Sequence, residues 1–152
     1  DGYENGEPHW QIQDDGRLML SVMVDDTYVY PKNPNKNAAG LAKIYFSEPI
    51  WNQAKSGEWM HIASTFDPAN RSVAHFVNGK EIAREEIADK YFIDRLRIGN
   101  GEIGNWGLPH REDPTFAIRN LNGRMDEFAI FKVALTPEEI SGLFERSRAS
   151  KR

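Results

Sequence analysis

The segment from Asn100 to Asp113 carries the residue types that a sugar-binding loop uses. Trp106 stands next to a glycine, and Asn105, His110 and Glu112 lie close to it in the sequence. An aromatic ring can stack on the apolar face of a pyranose, while amides and carboxylates meet its hydroxyl groups. We therefore predict ligand contacts at these four residues. The alternative is that the tryptophan folds back and caps the hydrophobic core.

A second group of aromatic and amide residues begins at Trp51. Asn52 and Gln53 follow it, and Tyr28 and Tyr30 are candidate neighbours. We predict Trp51 and Asn52 as a second ligand-contacting pair, again with core capping as the alternative. The tryptophans Trp10 and Trp59 lie on alternating, strand-like segments and are predicted to be core residues.

Residues for covalent or metal-assisted catalysis are missing from the sequence. There is no cysteine, which removes disulfides, thiolate metal sites and cysteine nucleophiles. The histidines have no zinc-site spacing, so His61 and His75 are predicted to be hydrogen-bonded sheet residues. No serine lies in a Gly-x-Ser-x-Gly motif, and no glycine pattern matches a phosphate-binding loop. We predict no catalytic residues.

The strands that position these loops are clearest between Gly57 and Lys80. Trp59 to Phe66 and Val73 to Val77 are rich in aromatic and β-branched residues, and Asp67 to Asn70 forms a turn between them. Asn78-Gly79 then favours a type I′ turn, since both central residues of that turn need positive φ. The sequence predicts two consecutive antiparallel hairpins here.

The remaining strands follow from alternating polarity and from turn residues between segments. A polar loop is predicted at Pro31 to Gly40, and a long one at Gly99 to Phe116. The predicted strands are His9 to Gln13, Arg17 to Val24, Leu41 to Phe46, Lys80 to Ile87, Arg95 to Asn100 (with Leu96 and Ile98 inward) and Gly123 to Lys132.

One helix is predicted, near residues 137–147. Thr136 can cap it, Pro137 suits the first helical position, and Glu139 completes a Thr-x-x-Glu capping box. Leu135 and Ile140 can form a hydrophobic staple. One face of this helix is apolar, so we expect it to dock on a sheet.

Short strands with regular turns and one terminal helix predict an all-β fold, an antiparallel β-sandwich with a short C-terminal α-helix. We expect a single domain over residues 1–152. The 19 basic and 23 acidic residues are mixed along the chain, which argues against nucleic acid as a partner. No apolar segment is long enough for a membrane-spanning helix, so direct membrane insertion is not expected.

Ordered motifs extend across most of the chain, roughly from Trp10 to Phe144, and together they resemble the laminin G-like domains of the concanavalin A-like lectin/glucanase superfamily. The resemblance implies a two-sheet jelly roll with the helix outside. It also implies an extracytoplasmic place in a larger bacterial protein, including proteins with a FecR-type sensor region. The motifs are Gly57-Glu58-Trp59-Met60-His61-Ile62-Ala63, Phe66-Asp67, Phe76-Val77-Asn78-Gly79-Lys80, Ile98-Gly99-Asn100, Gly123-Arg124-Met125-Asp126-Glu127-Phe128-Ala129-Ile130-Phe131 and Ala134-Leu135-Thr136-Pro137-Glu138-Glu139-Ile140.

Calcium is the cofactor that the resemblance implies, because related domains bind it through Asp, Asn and backbone oxygens. The candidate ligands are Asp67, Asn100, Asp113 and Asp126, with Asn70 beside them. The alternative for Asp67 and Asn70 is that they only build a turn.

Glycosidases of the superfamily carry two carboxylates two positions apart on one strand, where both reach the same face. This sequence has no acidic pair at that spacing, and the neighbours Asp126 and Glu127 would point to opposite faces. We therefore predict that the protein is not an enzyme.

Domains of this kind usually begin with an additional apolar strand, which the sequence does not show before Trp10. Without it, the strand from Met125 to Phe131 is expected to have unpaired backbone groups. We expect either further upstream residues or a strand from another molecule, including a homo-oligomer built through this edge.

The leading hypothesis is a non-catalytic binding or adhesion module for a glycan or a protein. The second is a structural spacer for protein interactions in a FecR-type signalling protein. A glycoside hydrolase is the third and least supported.

Overall fold

In the computed structural model, the described residues form two three-stranded antiparallel sheets that pack face to face, with a helix over the outside of the second sheet. The structure describes residues 4–29, 39–50, 57–99, 101, 103, 104, 121 and 123–149. This architecture confirms the predicted antiparallel β-sandwich with one C-terminal helix. The elements are β1 (Pro8–Ile12), β2 (Arg17–Val29), β3 (Ala39–Pro49), β4 (Ile62–Asp67), β5 (Ser72–Val77), β6 (Lys80–Glu86), a short 3₁₀ helix (Asp89–Tyr91) and α1 (Pro137–Ala149).

The strand β5 is buried on both faces because it lies at the centre of the second sheet, in the order β4-β5-β6. Its inward side chains Val73 and Val77 join core clusters with the first sheet, whose order is β1-β2-β3. Its outward side chains Ala74 and Phe76 pack against Ile140 of α1. The period of two along a strand thus divides the core into an inner layer and a helix-covered outer layer.

The turn between β5 and β6 has the geometry that Asn-Gly predicts. Asn78 has φ of 49° and Gly79 has φ of 76°, as a type I′ turn requires. The helix passes close to this turn: a Cβ atom at Gly79 would lie 3.1 Å from both Phe144 Cδ1 and Ser141 Cα. Glycine is therefore needed for its backbone conformation and for the close approach of α1.

Gly79→Ala is expected to lower the free energy of unfolding by about 1.5 kcal/mol, from left-handed backbone strain plus displacement of α1. Gly57→Ala is the matched control, because Gly57 also has positive φ (86°) but nothing lies within 4 Å of its Cβ position. Urea denaturation of both variants measures the difference. An equal loss at the two sites would contradict the tight contact between turn and helix.

The helix α1 begins where the capping signals place it. The backbone N–H of Glu139 donates to Thr136 Oγ1 at 3.2 Å, and the N–H of Thr136 donates to Glu139 Oε2 at 2.8 Å. This reciprocal pair is the predicted capping box. Leu135 and Ile140 pack in one cluster, which confirms the predicted hydrophobic staple.

The prediction of a strand at Arg95 to Asn100 is wrong, since residues 95–99 lie in no strand. Leu96 packs against the core as expected, but Ile98 is exposed. The Arg97 N–H donates to the carbonyl oxygen of Gly6 at 2.8 Å. This bond holds residues 95–99 beside the N-terminal residues, but a single hydrogen bond does not make a β-ladder. An alternating pattern of apolar and polar residues forms a strand only when a neighbouring strand pairs with it.

The prediction of a strand at Gly123 to Lys132 is also wrong for the residues that the structure describes there. Residues 123–131 lie in neither strand nor helix, and Phe128 and Ile130 are exposed. A strand pattern becomes a strand only when a neighbour pairs with its backbone, and no sheet of described residues includes this segment.

The expectation that Trp10 and Trp59 are core residues is wrong as well, because both are exposed. Trp10 lies on β1, an edge strand of its sheet, and its indole N–H donates to Ser64 Oγ at 2.8 Å. A tryptophan whose N–H needs a partner fits the rim of a sandwich better than its centre. Trp59 precedes β4, which begins at Ile62.

Candidate functional site

A cleft of about 300 Å³ opens between the β4–β5 turn, β6 and the start of α1. The cleft lies on the outer face of the second sheet, which α1 also contacts, and next to the N-terminal end of that helix. The sheet side of the cleft is polar, and the helix side is mostly apolar. The lining residues are Thr65, Asp67, Asn70, Ser72 and Arg84 on the sheet side, and Ala134, Leu135, Thr136 and Pro137 on the helix side.

The Asp67 carboxylate is fixed by the turn that follows it. Its Oδ1 accepts the backbone N–H of Asn70 at 3.0 Å, and its Oδ2 accepts from Asn70 Nδ2 at 2.8 Å. The Asn70 side chain, followed by its backbone N–H, lowers the pKa of Asp67. The carboxylate is therefore ionised at neutral pH and held in one orientation at the cleft.

The Arg84 guanidinium is held by two partners. Its Nε and Nη2 donate to the two carboxylate oxygens of Glu81 at 2.9 Å and 2.6 Å, and its Nη1 donates to Ser72 Oγ at 2.9 Å. The side-chain hydrogen bond raises the pKa of Arg84 and lowers that of Glu81. A guanidinium carries five N–H groups, so two remain beyond these three bonds to described residues.

The cleft can bind hydroxyl-rich molecules. It offers carboxylate and amide oxygens as acceptors, a guanidinium as donor, and the hydroxyl groups of Thr65, Ser72 and Thr136. The apolar wall at Ala134, Leu135 and Pro137 can contact the C–H groups of a sugar ring. Asp67 is the one carboxylate among the described lining residues, whereas glycoside hydrolysis uses two facing carboxyl groups.

The predicted site residues fall into two groups. Of the calcium candidates, Asp67 and Asn70 line the cleft, and they also form the turn that was the alternative to a calcium site. Asp126 is exposed and is not among the lining residues. Within the described ranges, no group of three or more acidic or histidine side chains could hold a metal ion. Outside the described residues lie Asn105, Trp106, His110, Glu112, Trp51, Asn52, Asn100 and Asp113.

Sequence reasoning missed Arg84, Ser72 and Thr65 as cleft residues. A usable signal existed, because Thr65 and Asp67 are two positions apart on β4 and so share a face. Ser72 pairs with Asp67 across the hairpin, and Arg84 pairs with Ala74. The pairing register, rather than any motif, brings these side chains together.

A second polar cluster runs between the sheets, from the exposed Trp10 to the buried His75. Trp10 donates to Ser64 Oγ, which lies 2.7 Å from His75 Nδ1, and His75 Nε2 lies 3.2 Å from the carbonyl oxygen of Tyr45. A carbonyl oxygen can only accept, so Nε2 carries the proton and Nδ1 accepts from the Ser64 hydroxyl. Burial lowers the pKa of His75, which favours this neutral form.

This cluster connects the two sheets. Tyr45 belongs to β3 of the first sheet, and His75 to β5 of the second. His75 is 1% exposed, and both of its ring nitrogens have protein partners, so no substrate can reach them. The prediction of a hydrogen-bonded sheet histidine is confirmed for His75.

Comparison with known proteins gives a family and one distant structural likeness. The family model of the laminin G-like type in the concanavalin A-like lectin/glucanases superfamily matches residues 5–141. A crystal structure of an S-layer domain-containing protein (residues 221–444) from Clostridium thermocellum ATCC 27405 is 19% identical, with a TM-score of 0.43. The similarity covers 95% of this chain and 59% of that one. No curated protein matches the chain.

The described part of the chain includes no helix with the length and apolar character needed to cross a bilayer. The family match extends over most of the sequence, from the residues before β1 to the first turn of α1. The sandwich and its outer helix are the fold that this family resemblance implied. The chain belongs to the laminin G-like family of the concanavalin A-like lectin/glucanases superfamily.

Proposed function

We propose that this chain is a non-catalytic binding module whose cleft between the β4–β5 turn, β6 and α1 takes a carbohydrate. The observation that carries the proposal is the composition of the cleft, in which fixed polar groups on the sheet face an apolar wall on the helix. Polar groups that are already held in place lose little freedom when a ligand binds. This arrangement suits a pyranose, which has hydroxyl groups at its edge and C–H groups on its faces.

The lining of the cleft supports binding without hydrolysis. Asp67 has no second carboxylate opposite it among the described lining residues, and Glu81 is engaged by Arg84. The acid and nucleophile of a glycosidase need two carboxyl groups on either side of the scissile bond. The superfamily also contains glucanases, so incubation with the bound glycan is the direct test, and we expect no release of reducing sugar.

We also propose an extracytoplasmic setting within a larger bacterial protein, with FecR-type proteins as the leading parent. Family membership is the support for this setting. A second candidate function, a spacer that binds protein through neighbouring segments, predicts that glycan screens stay negative while a flanking region binds.

The Arg84→Gln variant is expected to weaken glycan binding at least tenfold, because it removes charge-assisted hydrogen bonds in the cleft. The ligand is first chosen by glycan array and then titrated by calorimetry. Arg97→Gln is the matched control, since Arg97 also pairs with a glutamate, Glu4, but lies outside the cleft. Equal affinities for Arg84→Gln and the unaltered protein would place the sugar elsewhere.

The loop residue Trp106 remains a proposed ligand contact, and Trp106→Ala in the same titration tests it. Loss of binding in Trp106→Ala with full binding in Arg84→Gln would assign the sugar to the loop and contradict the cleft. Repeating the titration with calcium and with a chelator tests the proposed calcium ligands, including Asp67.

A further inference from the structure

The charged groups of the cleft are not balanced. Asp67 and Arg84 are the charged side chains among the described lining residues, and Glu81 binds Arg84 through two hydrogen bonds. Two carboxylates therefore surround one guanidinium, which leaves the sheet side of the cleft with a net negative charge.

The positive charge of Arg84 is already shared between these two carboxylates. The hydrogen bonds from Asn70 are the main cause that lowers the pKa of Asp67, and the charge of Arg84 lowers it further. The hydrogen bond to Glu81 chiefly raises the pKa of Arg84, and the charge of Asp67 raises it further. A negatively charged ligand would be a third anion beside a single cation.

The helix side of the cleft does not supply the missing positive charge. The N-terminal end of a helix carries about half a positive charge, which alone would attract an anion. Glu138 and Glu139 lie in the first turn of α1 and oppose that charge. The Glu139 carboxylate also accepts the N–H of Thr136, a residue of the cleft wall.

The arginine next to the cleft has its own acidic partner. Arg71 follows Asn70 in the sequence, and its Nη1 donates to the Asp89 carboxylate at 2.7 Å. Its guanidinium also lies over the Phe92 ring, 4.1 Å from the ring centre. Arg71 is therefore directed toward the 3₁₀ helix and does not offset the charge of Asp67.

A hydroxyl group matches the hydrogen-bonding groups of the cleft better than an acid does. Asp67 can only accept hydrogen bonds, and Arg84 can only donate them. A ligand group beside both must donate to the first and accept from the second. A sugar hydroxyl does both, whereas an ionised carboxylate or a sulfate ester can only accept.

We infer that the cleft selects an uncharged sugar and discriminates against uronic acids and sulfated sugars, an inference that rests on the proposed carbohydrate site and adds the class of carbohydrate. One like charge about 6 Å away, at the dielectric constant of water, changes an equilibrium constant roughly threefold. The cleft is less well solvated than bulk water. The neutral sugar should therefore bind at least threefold more tightly than its acidic counterpart.

Matched pairs of sugars test this selectivity. An array carries neutral oligosaccharides, among them cellotetraose, mannotetraose and maltotetraose, each beside the same sugar with its primary alcohols oxidised to carboxylates. The pair that binds is then titrated by calorimetry. The ratio of the two dissociation constants should be largest at about 0.01 M salt and approach one near 1 M, because salt screens the charge of Asp67.

Variants that each remove one negative charge identify the responsible group. Asp67→Asn should lower the ratio about threefold. Asp15→Asn is the matched control, because Asp15 also accepts a backbone N–H in a turn, from Arg17 at 3.0 Å, but lies outside the cleft. Glu81→Gln is a second test variant, since it leaves the turn of Asp67 intact and should lower the ratio as well.

Equal or tighter binding of the oxidised sugar would overturn the inference and leave carbohydrate binding in place. A ratio that does not depend on salt, or that is equal in Asp67→Asn and Asp15→Asn, would show that shape excludes the acid and would overturn it too. Binding of neither form of any sugar on the array would overturn the proposed function, and the inference with it.

Discussion

Phe76→Ala is expected to lower the free energy of unfolding by about 3–5 kcal/mol, the largest loss from any single substitution considered for this protein. Phe76 is 0% exposed and packs between the second sheet and Ile140 of α1. Its removal deletes a buried aromatic ring and leaves a cavity under the helix. A domain of this size has about 5–15 kcal/mol of total stability, so the variant should unfold at much lower urea concentration.

Phe128→Ala is the matched control for Phe76→Ala. Phe128 is largely exposed, so its loss should change the free energy of unfolding by less than about 0.5 kcal/mol at concentrations where the protein is monomeric. Comparable losses for the two phenylalanines would show that Phe128 is packed in the core, contrary to its exposure in the structure.

Stability is expected to fall as the pH decreases below about 6.5, because buried His75 has a lowered pKa in the folded protein. Above that pH, histidine is neutral in both states and contributes no pH dependence. Below it, the unfolded chain binds a proton that the folded chain excludes, so acid favours unfolding. The loss is at most about 1.4 kcal/mol for each pH unit in which folded His75 stays neutral.

Urea denaturation at several pH values between 7.5 and 5 measures this loss. His61 contributes in the same direction, since its pKa is also lowered, mainly by burial. His75→Gln should be less stable at pH 7.5 but lose less on acidification, because glutamine does not titrate. A slope identical to that of the unaltered protein would show that His75 is not the responsible group.

Local signals in the sequence predicted the parts of the fold that depend on few neighbours. Asn78-Gly79 predicted its turn because positive φ at both positions is a property of those two residues. The capping box predicted the start of α1 because its hydrogen bonds join only Thr136 and Glu139, three residues apart. The alternating strands predicted the sandwich, although their ends shifted by several residues at Trp59 and Val24.

Features that depend on distant partners could not be predicted in this way. The segments at Arg95 and Gly123 alternate like strands, but whether they join a sheet depends on a neighbouring chain segment. Trp10 looked like a core residue because the sequence does not reveal that β1 lies at a sheet edge. The cleft was missed because Asp67 and Arg84 meet only through the pairing of three strands.

Chemical-shift mapping with a glycan selected by array tests whether a carbohydrate binds in the cleft. The backbone amide signals of Thr65, Asn70, Ser72 and Arg84 should shift together with a single dissociation constant. The backbone amide signals of Gly6 and Arg97, which do not line the cleft, should stay unchanged. Saturable binding that leaves all four cleft signals in place would show that the glycan binds outside the cleft.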